Sequence, residues 1–321
     1  MTERSKSALI FGASGFVGGY LARELKSNGY EVFGSDRAKP ADDSFFDAFS
    51  ACDITDFESI RDVVREYEPK AIVNLAAISS VGQSWLMPAT TMRVNVEGAI
   101  NVMEAARSQD VSPKLLLVGS SEEYSPNDHP ISEADPIDAN SPYGISKIAQ
   151  ERFAELYAEQ YGLTVFLTRS FNHTGPGQSA TFVLPSWCRQ AAKIEASGHP
   201  GKMIVGNLDV SRDFSDVRDV VRAYRLILEG GSAGQVYNIG SGTATSLSQC
   251  LEEIKAFSEQ PIEIEVNEEL VRPTDTPVIC CDATKIRKEL GWEPEHLLED
   301  TLREMFERFV NLEVAARQSL D

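Results

Sequence analysis

Short apolar runs and amphipathic stretches alternate along the first half of the chain. Residues 8–12, ALIFG, read as a buried strand, and FVGGYLARELKSNG as a helix that stops at Gly29. YEVFGSD (30–36) is a second strand, FESIRDVVREY a helix and AIVNLAA (71–77) a third strand. TTMRVNVEGAINVMEAARSQ reads as one helix, KLLLVGS (114–120) as a strand, Pro142 to about Tyr161 as a helix, and TVFLTRS (164–170) as a strand. Apolar strands this short, alternating with helices, predict an α/β fold with a doubly wound parallel sheet covered on both faces.

The second half is less regular. After FNHTGPGQ come a helix (FVLPSWCRQAAKIEAS), a strand (KMIVG), a helix (RDVVRAYRLILEG) and a strand (QVYNIG). SLSQCLEEIKAFSE is helical, IEIEV (262–266) a strand, and the end helical. This pattern predicts a larger unit over residues 1–170, with 214–242 returning to it. A smaller α/β unit over 171–213 and 243–321 would cap the carboxyl edge of the sheet, where open α/β sheets bind ligands. Internal repeats and low-complexity segments are absent from the sequence.

Charge narrows the partners. Thirty basic residues against 49 acidic ones give a net charge of −19, which argues against nucleic acid or an anionic membrane. An anionic ligand would need local arginines to reverse that sign. The five cysteines form no CxxC and share no metal spacing with the four histidines, so they read as reduced thiols of a cytoplasmic protein without a metal. The polar start runs straight into a strand, unlike a signal peptide, and no apolar run approaches the roughly 18 residues of a membrane span.

The first candidate chemistry is GASGFVG, with Gly12, Gly15 and Gly18 between the first strand and the first helix. The first glycine permits a tight turn, the second lets backbone N–H groups approach a diphosphate, and the third allows close helix–strand packing. Ser14, Phe16 and Val17 complete the loop. Asp36 ends the second strand, where a carboxylate can bind the hydroxyls of an adenine ribose. Asp53 and its neighbour Ile54 lie at the next segment, within reach of an adenine edge, and Leu75, Ala76 and Ala77 follow the third strand. The expected cofactor is NAD(H) or NADP(H): Asp36 would repel a 2′-phosphate, whereas Arg37 could pair with one.

The second is SSEEY (120–124) together with SPYGISK (141–147). Ser141 caps a helix and Pro142 suits its first position, so Tyr143 enters the first turn. Tyr143 and Lys147 are four apart and share a face. A phenol titrating near 10 is a poor base unless a cation favours the phenolate, the role the spacing gives to Lys147. Ser120 can hydrogen-bond the same substrate oxygen.

These residues resemble the extended short-chain dehydrogenases/reductases, the family of nucleotide-sugar epimerases, dehydratases and ketoreductases with a Rossmann dinucleotide-binding domain. GASGFVG, NLAA, VNVEGAINVMEA, SPYGISK and YNIGSG carry the resemblance, and Asn74 stands where the family usually has histidine. SSVGQSW, GSSEEY, RSFNHTGPGQ, VGNLDVSRDFSDVRDVV and LVRPTDTP are most similar to the branch that reduces the C4 ketone of GDP-linked keto-deoxy sugars. The resemblance implies Ser120, Tyr143 and Lys147 as the catalytic triad, with Tyr143 and Lys147 also on the cofactor. It places Ser79, Ser80, Glu122, Asn172, Val205, Asn207, Arg212 and Arg272 on the substrate, and gives His173 a structural role. It also implies a homodimer through helices 90–107 and 142–161, although Val102, Met103, Phe153 and Tyr157 on them could equally be core. Glu122 matches the glutamate that removes the C5 proton in sugar-nucleotide 4,6-dehydratases, so a GDP-mannose dehydratase is the rival reading. Against it stand Ser120 in place of a threonine, Pro185 in place of an arginine, and a short loop after the second strand. A UDP-sugar 4-epimerase and a non-catalytic nucleotide sensor rank below both.

Overall fold

A computed structural model describes residues 6–125, 127–270 and 276–318. Seven parallel strands form the main sheet: β1 (Ser7–Phe11), β2 (Glu31–Asp36), β3 (Ala48–Ala51), β4 (Ala71–Asn74), β5 (Lys114–Ser120), β6 (Val165–Ser170) and, later in the chain, β10 (Val236–Ile239). Their spatial order is β10-β6-β5-β4-β1-β2-β3. The chain therefore runs outward from β1 in one direction, then restarts at β4 and runs the other way. The switch point falls between β1 and β4, and a crevice opens there at the carboxyl ends of the strands.

The apolar strand runs are explained by burial on both faces. In β1, Ala8 and Ile10 point to one core while Leu9 and Phe11 point to the other. The first core is closed by α1 (Phe16–Ser27) and α8 (Val217–Gly230), and the second by α2 (Phe57–Tyr67), α5 (Gly98–Arg107) and α6 (Pro142–Tyr161). The helix expected as a single stretch over 90–109 runs continuously from 88 to 107, through α4 (Pro88–Met92), a π-helical turn at Arg93–Glu97, and α5. The short helix α3 (Val81–Leu86), capped by Ser80, precedes it.

A third core lies outside the sheet. Leu184, Trp187 and Cys188 of α7 (Val183–Ser197) pack with Met203 and Val205 of β8 (Gly201–Val205), with α9 (Leu247–Ala256), and with Leu302 and Met305 of α11 (Leu298–Gln318). β8 pairs with β12 (Ile262–Val266). Between the units, β9 (Ser211–Asp216) pairs with β7 (Asn172–Thr174), β11 (Ala244–Ser246) and β13 (Val278–Ile279). One segment departs from the expected division. Residues 279–292, including α10 (Thr284–Leu290), pack on the first core of the main sheet, and the fully buried Trp292 donates to the Asp219 carbonyl of α8 at 2.9 Å. A lone tryptophan carries no sequence signal for which core it joins.

Val102 and Met103 are completely buried in the second core, so they are core rather than interface residues. All five cysteines are free thiols. Among the described residues no helix is long and apolar enough to cross a membrane, and no cluster of acidic, histidine and cysteine side chains could hold a metal.

Candidate active site

The glycine loop sits at the switch point. Gly12 has φ +79°, a left-handed conformation that favours glycine, and a Cβ on it would stand 2.7 Å from the Ala76 nitrogen at the end of β4. Gly18 packs so tightly against the Ala13 backbone that a side chain there would collide with it. Gly15 caps α1 with no side-chain acceptor, so the helix presents unpaired N–H groups at Phe16 and Val17, with Ser14 exposed beside them. This cradle fits the diphosphate of a dinucleotide. Asp36 stands at its rim, accepting from the N–H groups of Ser14 (3.1 Å) and Arg37 (2.7 Å), and the Arg37 side chain is exposed. Asp53 closes a small turn by accepting from the Thr55 N–H and hydroxyl at 2.9 and 2.8 Å, which hold its carboxyl below the usual range. Ile54 is buried against Gly98. Leu75, Ala76 and Ala77 line the end of β4, where Asn74 accepts the Ala76 N–H at 3.1 Å and so shapes the turn itself.

Ser120, Tyr143 and Lys147 are brought together behind this crevice, all buried. Ser120 ends β5, and its Oγ accepts the Glu122 N–H at 3.2 Å, which leaves the serine proton to donate elsewhere. Ser141 caps α6 by accepting the Gly144 N–H at 3.1 Å, which sets Tyr143 in the first turn as the sequence predicts. Burial pushes the Tyr143 phenol well above its ordinary value. The Ser120 hydroxyl offsets this by hydrogen bonding, and the charges of Glu123 and Glu122 push it further up. Among the described residues Lys147, expected to act on this phenol, makes no hydrogen bond to it. The Lys147 ammonium donates to the Val118 carbonyl at 2.7 Å and to Gln150 at 3.3 Å. Burial lowers its own pKa, and Glu123 raises it.

Three residues that hold the backbone around Tyr143 carried no expectation from the sequence. Asn95, in the π-helical turn, accepts from the Ile78 N–H (2.8 Å) and donates to the Ile78 carbonyl (3.1 Å) and to Ser146 Oγ (2.9 Å). Ser146 in turn donates to the Tyr143 carbonyl at 2.6 Å. The buried Ser84 accepts the Tyr143 N–H at 3.2 Å. An asparagine inside an otherwise helical run, where it is a poor helix former, was the available signal. π-turns of this kind cluster at functional sites.

The substrate side is more scattered. Ser79 is exposed, and Ser80 caps α3 by accepting the Gln83 N–H at 3.3 Å. Glu122 is half-buried on the turn after Ser120, close enough to act on Tyr143. Asn172 is exposed at the start of β7. His173 pairs with the Phe171 carbonyl at 3.1 Å, a structural contact. The Val205 side chain, expected on the substrate, is instead completely buried in the third core. Asn207 follows, accepting the Asp209 N–H at 2.9 Å. Arg212 donates to the Ser211 and Thr276 carbonyls at 2.9 and 2.7 Å. Its neighbour Asp213 is taken by the backbone N–H groups of Ser241, Gly242 and Cys281. Arg272 lies outside the described residues.

A glycine cradle at the switch point of a parallel sheet, with a buried serine, tyrosine and lysine beside it, defines an NAD(P)-dependent oxidoreductase of the extended short-chain dehydrogenase/reductase class. The family described as GDP-mannose 4,6 dehydratase matches residues 9–305, and the chain belongs to it. It is 29% identical to the GDP-6-deoxy-D-mannose reductase of Pseudomonas aeruginosa, over 94% of this chain and 96% of that one. It is 30% identical to the GDP-mannose 4,6-dehydratase of Sinorhizobium fredii, over 95% and 96% respectively. The solved structure of RMD from Pseudomonas aeruginosa complexed with NADPH superposes with a TM-score of 0.83 at 27% identity, covering 96% of this chain and 100% of that one.

Proposed function

We propose that this enzyme reduces the C4 ketone of GDP-4-keto-6-deoxy-D-mannose to GDP-D-rhamnose. The observation that carries the reading is the buried Tyr143 phenol beside the Ser120 hydroxyl, where burial pushes the phenol upward and so favours its neutral, proton-donating form. Reduction of a ketone consumes a proton at oxygen, whereas a reaction that begins by oxidising an alcohol needs the phenolate first. A bound nicotinamide dinucleotide supplies the hydride, and Gly12, Ser14, Gly15, Phe16, Val17, Gly18 and Asp36 would hold it, with Arg37 positioned to accept NADP(H) as well as NAD(H). As charge develops on O4, Tyr143 donates its proton to it and Ser120 stabilises it with the proton that its own acceptor role leaves available. Lys147, anchored on Val118, keeps positive charge near the tyrosine. Asn172, Asn207 and Arg212 would take the nucleotide, with the unit built on the third core acting as the substrate-binding domain.

A second reading has its own support. Glu122 stands close enough to influence Tyr143, as a base for C5 would in a GDP-mannose 4,6-dehydratase. Assaying two substrates separates the readings. Given GDP-4-keto-6-deoxymannose and NADPH or NADH, the enzyme is expected to oxidise cofactor continuously. Loss of water from GDP-mannose with no net cofactor oxidation would overturn the choice. In the same assay Glu122→Gln is expected to keep kcat for ketone reduction within about threefold of wild type, since it carries no proton in that step. A loss as deep as that of a Tyr143 variant would make Glu122 part of the reduction.

Homodimerisation is proposed through α4 and α6. Ile145, Phe153 and Leu156 lie on one side of α6 and are 49%, 37% and 48% exposed, with Met92 of α4 exposed nearby. Light scattering at micromolar concentration should give a dimer, and Ile145→Asp with Leu156→Asp a monomer. A monomeric wild type would refute the interface.

A further inference from the structure

The stretch SSEEY contains a second carboxylate that the proposed chemistry does not use. Glu123 is completely buried, a rare place for glutamate unless it is paired. Its Oε1 accepts the Ser120 backbone N–H at 2.7 Å, while Oε2 has no hydrogen-bond partner and lies 3.8 Å from Arg169 Nε. Arg169, on β6, is gripped by Glu151 of α6 through Nη2 (2.5 Å) and Nε (3.0 Å), and its Nη1 has no partner. A side chain at Gly119 would collide with Glu123 Oε1, so the strand end is shaped around this carboxylate.

The charged and titratable groups facing Glu123 are Lys147, Glu151 and Tyr143 from α6 and Arg169 from β6, with Glu122 and Tyr124 on its own turn. Tyr124 is occupied, donating to Asn238 at 2.7 Å with its ring against the Arg169 guanidinium. Two buried cations, Lys147 and Arg169, are thus matched by two buried carboxylates. Without the charge of Glu123 one cation stands uncompensated away from water. Arginine cannot release its proton, so the burden falls on lysine.

We propose that Glu123 is a positioning residue for proton transfer, fixing the Ser120 backbone through one oxygen while its buried carboxylate balances the cations of Arg169 and Lys147 behind the candidate active site. The electrostatics agree in direction. Burial pushes Lys147 down and Glu123 raises it, and Glu123 is among the groups that raise Tyr143. Burial and Glu151 push the Glu123 carboxyl itself upward, so carboxyl and ammonium titrate as a pair. The inference rests on the roles proposed above for Tyr143 and Lys147, though not on which sugar is turned over.

Removing the charge releases both protons more easily, so the alkaline limb of the pH–kcat profile moves to lower pH. Glu123→Gln keeps the volume and an oxygen for the Ser120 N–H. The limb is expected to move down by about one unit, costing about tenfold in kcat near about pH 8, with KM and the plateau at lower pH near wild type. Glu123→Asp keeps the charge but withdraws from the Ser120 N–H, and should lower kcat across the whole range with the limb in place. A wild-type limb in Glu123→Gln overturns the proposal. If that variant does not fold, a displaced limb in Glu123→Asp overturns it. If the wild type turns over neither sugar, the functional reading fails on its own. NMR titration of the Lys147 ¹³Cε resonance, in wild type and in whichever variant folds, then decides the matter. A lower lysine pKa in Glu123→Gln, or an unmoved one in Glu123→Asp, supports the role; the opposite contradicts it.

Discussion

Tyr143→Phe is expected to lower kcat by about 10²–10⁴ while leaving KM and cofactor affinity nearly unchanged, the signature of a lost general acid. Only the hydroxyl is removed. The ring remains in its buried site, and the contacts that hold its backbone, from Ser84 and Ser146, do not depend on the phenol. Ser120 would still stabilise charge on the substrate oxygen, so the residual rate should stay above background. Stopped-flow or steady-state measurement of cofactor oxidation reads the effect directly. Turnover within threefold of wild type would remove Tyr143 from the reaction.

The second large effect is on stability. Arg169 is 5% exposed and stands between Glu151 and Glu123, with its guanidinium over the Tyr124 ring. Arg169→Leu leaves two buried carboxylates facing each other with Lys147 as their one nearby cation. Breaking a buried ion pair from one side costs about 3–5 kcal/mol, and urea unfolding should show a loss of that size. Glu123, already pushed upward by burial and Glu151, loses the lowering charge of Arg169 in the variant and rises further above its unfolded value. Stability tied to groups raised in the folded state is present below the unfolded pKa and lost as pH rises through the folded one. The deficit should therefore be greatest at alkaline pH and narrow on acidification. A loss under about 1 kcal/mol, or one that does not change with pH, would mean that the cluster is well solvated.

The features legible in the sequence are those fixed by short-range geometry. Gly12, Gly15 and Gly18 announce the loop because a tight turn and a close backbone approach exclude side chains there. Tyr143 and Lys147 announce a shared face through helical spacing, and Ser141–Pro142 announce where that helix begins. Six of the seven strands of the main sheet are visible because both of their faces are buried, whereas the edge strand β3, only partly buried, carries no such run and was not expected. What stayed hidden depends on non-local pairing or on turns without a sequence period. The 3₁₀ turn Ser121–Glu123 sends two adjacent glutamates to different environments, Glu122 half-exposed and Glu123 into the interior, and no alternation rule separates them. The strands β7, β9 and β11 are polar, β13 has only two residues, and they pair across long sequence separations. Val205 was expected on the substrate, and its burial in the third core depends on packing among α7, β8, α9 and α11 that no local pattern reveals. Lys147 was expected to act on the tyrosine because spacing brings the two together, yet the Val118 carbonyl competes for the ammonium and holds it.

The central claim is net reduction at C4, and isotope transfer tests it most directly. GDP-4-keto-6-deoxymannose would be incubated with one equivalent of NADPH carrying deuterium at its transferable position, and the product examined by mass spectrometry and NMR. One cofactor oxidised per sugar, with deuterium at C4 of a GDP-6-deoxyhexose, is the expected result. Unlabelled sugar and unoxidised cofactor, from enzyme that dehydrates GDP-mannose in a parallel reaction, would contradict it.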